Sequence, residues 1–130
     1  MVRDYDETVI PTVHNMLEVE PYREAEGFAQ RIFRGLDLMV GVNVIEPEKQ
    51  NAEPHSHPWE QVNMLLEGRL DFIVGDEIIE LEPYDIVEIP PGVKHTARTV
   101  PGESAKLLAF WPLRDDILDA TAYQTEFAKD

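Results

Sequence analysis

Between residues 36 and 112 the chain is cut at short intervals by Pro and Gly, and this punctuation restricts it to short strands joined by turns. "LDLMVGVNVIEP" (36–47) reads as a long strand ending at Pro47. "EQVNMLLEG" (60–68) is a second strand stopped by Gly68, and "RLDFIVG" (69–75) is a third. "DEIIELEP" (76–83) returns across a Gly75-Asp76 turn as a hairpin would, and "DIVEIPPG" (85–92) stops at Pro90, Pro91 and Gly92. "HTARTV" and "AKLLAFWP" complete the series on either side of a Pro101-Gly102 turn. Seven or so strands at this spacing imply an all-β sandwich or barrel. Residues 1–35 lack a clear period and are broken by Pro11, Pro21 and Gly27, while Ile117, Leu118, Ala122 and Phe127 give the tail a weak helical pattern.

At 130 residues the chain fits one domain, 1–130, with 43% hydrophobic and 28% charged residues, an ordinary globular balance. It contains no cysteine, which excludes disulfides, thiolate metal sites and cysteine nucleophiles. Any metal must be held by nitrogen and oxygen. The formal charge of −15 repels nucleic acid and anionic membranes, so neither is an expected partner. An anionic substrate would need local positive charge against this field. The N-terminus shows no basic segment followed by an apolar one, and no apolar run is long enough to span a bilayer, so the expectation is a soluble cytoplasmic protein.

Three of the four histidines, His55, His57 and His95, fall in strand-edge contexts. On an extended chain residues i and i+2 share a face, so His55 and His57 can reach one point together. The same parity puts Gln61 on their face and turns Glu60 away. A bare H-x-H is weak evidence, because two nearby histidines are commonly loop residues. The surroundings strengthen it: "HSHPWEQVNMLLEG" fits H-x-H-x3-(E/Q)-x6-G, and "PPGVKH" fits P-x-G-x2-H with Pro90, Gly92 and His95.

This pair of motifs, in this order and separated by a hairpin, resembles the cupin superfamily over about residues 36–112. The resemblance implies a double-stranded β-helix barrel with one divalent metal ion held by His55, His57, Gln61 and His95. Nickel, cobalt, iron, manganese and zinc all suit such mixed N/O donors. The chain departs from the pattern where the family glycines stand at Lys49 and Tyr84, and where its asparagine stands at Thr99. "LLAFWPLRDDIL" (107–118) is similar to the segment closing small cupins of the KdgF-like group, which linearise unsaturated uronates. Phe110, Pro112, Arg114 and Asp116 match that segment, and the likeness implies that Arg114 binds a substrate carboxylate. The plain alternative for Arg114 is a surface pair with Asp115 or Asp116. The group's catalytic aspartate falls on Leu108, and its serine on Trp111.

With a neutral amide in place of a carboxylate, a divalent ion keeps its whole charge, which favours polarising a carbonyl or hydroxyl over oxygen chemistry. The leading expectation is a non-redox enzyme acting on a small oxygen-rich anionic substrate such as a sugar acid. A metal-dependent dioxygenase and a binding module without turnover are the alternatives. Asn63 and Leu65 continue the parity of Gln61 and are expected above the metal. Trp59, Trp111, Phe110 and Phe72 read as packing, Tyr84 as a turn residue and His14 as exposed. Val62, Met64 and Leu66 form an apolar opposite face that needs cover, from the N-terminal segment or from a second subunit, hence an expected homodimer.

Overall fold

The computed structural model describes residues 13–35, 38–47, 49 and 53–112. Arg114 and the expected C-terminal helix lie outside the described residues. Among those described there are nine strands and one 3₁₀ turn, Met16–Glu18. The strands are β1 (Arg23–Ala25), β2 (Phe28–Arg34), β3 (Leu38–Ile45), β4 (Gln61–Gly68), β5 (Leu70–Val74), β6 (Glu77–Leu81), β7 (Ile86–Ile89), β8 (His95–Thr99) and β9 (Ala105–Pro112). All pairings are antiparallel, in a six-stranded sheet ordered β1-β2-β3-β9-β4-β7 and a three-stranded sheet ordered β6-β5-β8. This is the expected all-β architecture, consistent with a double-stranded β-helix barrel.

The seven strands read from the punctuation all form. β1 and β2 were not legible, because "FAQRIFR" breaks the alternation with Gln30 on its inner face and adjacent Ile32 and Phe33. The strictest alternation lies in β3, β4 and β9, where buried and half-buried or exposed residues succeed one another. The inner faces close over a main core that includes Phe28, Ile45, Leu65, Leu70, Phe72, Leu81 and Ile89. A smaller cluster of Met39, Trp59, Ala109 and Trp111 packs with Ile32. Each such side chain contributes about 1.5–3 kcal/mol by leaving water, so the core dominates stability. Leu65 belongs to the main core and is not a pocket residue above the histidines. Phe110, read as packing, faces out and is 39% exposed, so it takes no part in the core.

On the outer face, Val62 and Met64 of β4 are half-buried, as are Val40, Val42 and Leu108. The N-terminal arm reaches part of this face: His14, Met16 and Val19 border a cavity of about 290 Å³ with Phe33 and Val40. His14 is exposed as expected, but its ring lies 4.9 Å from that of Phe33. No helix among the described residues is long and apolar enough to cross a membrane.

Candidate metal centre

Backbone pairing brings the histidines together. His55 and His95 exchange both main-chain hydrogen bonds, at 3.0 and 2.9 Å, which places their side chains on one face of the pair. Gly92 N–H donates to the His57 carbonyl at 2.8 Å, tying the next turn of the chain to the same edge. The three rings then lie with centroids 4.5 to 5.8 Å apart, and one ligand atom from each falls within 4.8 Å of the others. His57 stacks on Trp59 at 4.6 Å, nearly parallel.

Each of two imidazoles has its tautomer set by a carbonyl, which can only accept. His57 Nδ1–H donates to the Trp59 carbonyl at 2.8 Å, and His95 Nδ1–H to the Val93 carbonyl at 2.9 Å. Nε2 is therefore the nitrogen left to each site-facing edge, and that of His95 is buried without a hydrogen bond. Burial lowers the His95 pKa to about 4; the Val93 carbonyl opposes this, and the charges of His55 and His57 add to it. Burial also lowers His57, partly offset by its bonds to Trp59 and Gln61. Both rings are held in the neutral, metal-ligating form near neutral pH.

Gln61 enters from the first residue of β4 and is 7% exposed, facing inward as parity required. Glu60 is exposed and points away; it hydrogen-bonds Glu88, whose pKa is raised first by that bond and then by the Glu60 charge. The Gln61 oxygen accepts from the Trp111 indole N–H at 3.0 Å, while its NH2 donates to Asn63 Oδ1 at 3.3 Å. The same oxygen lies 3.1 Å from His57 Nε2. With His57 neutral and protonated on Nδ1, that contact sets two lone pairs against each other. A cation between them resolves the conflict: donors about 2.1 Å from one ion at a right angle stand about 3.0 Å apart. The residues present therefore fit a divalent ion.

Other inward polar groups were not singled out from the sequence. Gln30 and Asn43 are cross-strand partners, 5% and 6% exposed, and their side-chain oxygens have no hydrogen bond. The signal available for Asn43 was a lone amide in the apolar run of β3. Arg23 pairs with Gln30 in the next strand, and its Nε is likewise buried without a partner.

Leu108 requires a correction. Alternation along β9 turns Leu107, Ala109 and Trp111 inward and Leu108 outward, with Val42 and Met64 as its cross-strand partners. Position 108 does not face the histidines, so the interior lacks no acid there. The inward position nearest Gln61 is held by Trp111, whose role the sequence reading reduced to packing.

Residues 41–111 match the cupin domain family. More than half of the chain is covered, and the chain belongs to that family. It is a cupin in which three clustered histidines could hold a metal ion. Among solved structures it is similar to KdgF from Halomonas sp., with 22% identity over 83% of this chain and 99% of that one and a TM-score of 0.69. An RmlC-like cupin from Shewanella frigidimarina is similar too, with 21% identity, 83% and 96% coverage and a TM-score of 0.69. The polyketide cyclase RemF from Streptomyces resistomycificus has 22% identity, 91% and 99% coverage and a TM-score of 0.67. At these identities the likeness establishes the fold. No curated protein matches the chain.

Proposed function

We propose that this cupin binds one divalent metal ion through His55, His57, His95 and Gln61 and acts without redox chemistry on a small, oxygen-rich anionic substrate such as a sugar acid. The observation that carries the metal reading is the facing pair of lone pairs on His57 and Gln61 beside the bare Nε2 of His95. When bound, the ion supplies Lewis acidity, lowering the pKa of a hydroxyl or polarising a carbonyl. The chain's own part is to hold the imidazoles in one tautomer and to present a neutral fourth donor. The unpartnered oxygens of Gln30 and Asn43 suit hydroxyl groups of a ligand, because each gains a hydrogen bond it lacks. The carboxylate would go to Arg114, by its match to the KdgF-like segment, with Arg23 the described cation on the Gln30–Asn43 row.

The second reading, a binding module without turnover, is favoured by one observation. Among the described residues no aspartate or glutamate is buried, so no interior carboxylate is at hand to move a proton. The two readings separate by assaying metal-loaded protein on unsaturated uronates and related keto sugars. Opening or isomerisation that Arg114→Gln abolishes supports the enzyme; tight binding with no conversion supports the module. Oxygen uptake by iron-loaded protein would instead establish the dioxygenase alternative. The ligand set is tested separately by metal retention. Gln61→Ala is expected to weaken it about tenfold or more, whereas Glu60→Ala leaves it unchanged.

A further inference from the structure

We propose that Trp111 is a positioning residue: its indole N–H fixes which end of the Gln61 amide faces the histidines, and so makes position 61 an oxygen donor. The inference rests on the metal reading above and deepens it. A primary amide has nearly the same shape when turned over, so its neighbours decide its direction. Two arrangements compete at Gln61. In the observed one the oxygen takes the Trp111 N–H at 3.0 Å and faces His57 Nε2 at 3.1 Å. Turned over, the NH2 would donate to His57 Nε2 and close that nitrogen to any metal. Without a bound ion the turned form is the better partner for His57. What opposes it is Trp111, because an indole can only donate and would then face an NH2 group.

The indole is itself held in place. Trp111 is 2% exposed and packs with Met39, Trp59 and Ala109. It lies over Gly41, where an added Cβ would come within 2.7 Å of its Cη2 and 2.8 Å of its Cζ3. The seat exists because β3 carries glycine at that inward position. Asn63 does not fix the direction alone: its 3.3 Å contact is long, and its own amide can turn to suit either end. A carboxylate at position 61 would not need this device, since both its ends are oxygens.

The test is a double-substitution cycle read by Co2+ and Ni2+ affinity, with the visible spectrum of the Co2+ form as a second readout. Trp111→Phe keeps an aromatic ring at the position, though a smaller one, and removes the N–H. In the unmodified background it should weaken metal binding about five- to tenfold, the effect of one lost hydrogen bond. In a Gln61→Glu background the same change should cost less than about twofold, because the side chain has no wrong end. Equal losses in both backgrounds would assign Trp111 a packing role and overturn the inference. Failure of the unmodified protein to bind either ion would overturn the metal reading, and this inference with it. If Trp111→Phe does not fold, the unmodified protein carries the test through the indole N–H resonance in metal-loaded protein. Slow solvent exchange of the Trp111 proton supports the bond, and free exchange overturns it.

Discussion

Tyr84 has a φ of 75°, the one positive value at a non-glycine residue among those described. It stands where the family pattern has glycine, and the backbone has kept the glycine conformation: Tyr84 N–H donates to the Leu65 carbonyl at 2.7 Å. A side chain in that region costs about 1–2 kcal/mol, and Tyr84 at 76% exposure recovers little by packing. Tyr84→Gly is therefore expected to stabilise the fold by about 0.5–1 kcal/mol, after allowing for the greater freedom of glycine in the unfolded chain. A shift of the urea midpoint checks this, and an unchanged or lower midpoint would refute it. The other two departures meet each other, since Thr99 Oγ1 donates to the Lys49 carbonyl at 3.2 Å. Sequence could name all three substitutions, but only the folded chain shows that two form a contact and one carries strain.

At the scale of the element, strand parity explains most of what was legible. It sorted Gln61 from Glu60 across one peptide bond and held through the Pro58 bend, because His57, Trp59 and Gln61 are all buried. Parity failed to help where the resemblance alone placed residues, as at Leu108, because a motif match does not say which face a strand position takes. The passage from β4 in one sheet to β5 in the other depends on Gly68, which ends β4 just beyond a register shift against β9. Gly68 has φ +83°, and a Cβ there would fall 1.8 Å from the Ser104 carbonyl oxygen. Backbone cannot retreat as a flexible side chain can, so Gly68→Ala should destabilise the fold by more than about 3 kcal/mol. Thermal unfolding would measure it, and a drop of under about 1 kcal/mol would mean the β4–β5 turn adapts.

At the scale of the whole molecule, burial in the barrel holds His57 and His95 neutral, which ties stability to pH. The folded His95 pKa of about 4 lies below its ordinary value of 6.5, so between these the unfolded chain binds more protons. The metal-free protein should keep this contribution above pH 6.5 and lose it as pH falls toward 4, a change of order 3 kcal/mol. His57 shifts in the same direction. Urea titrations of metal-free protein across that window check the slope, and a flat profile would contradict it. On the outer sheet face Ile86 is 61% exposed and Phe110 lies beside half-buried Val62 and Val40, and we propose that a second copy of the chain covers this face. Light scattering should show a homodimer that Leu108→Lys converts to monomer; a monomeric parent protein would remove the proposal. By itself the sequence determined the β class, the seven central strands and the shared face of His55, His57 and Gln61, while His95 joined them through the family resemblance. Punctuation by Pro and Gly and a period of two are local properties of the chain. Only the tertiary structure decided that His55 pairs with His95, that Leu108 faces out, and that Trp111 grips the Gln61 oxygen. Those depend on register between strands distant in sequence, which side-chain alternation alone does not specify.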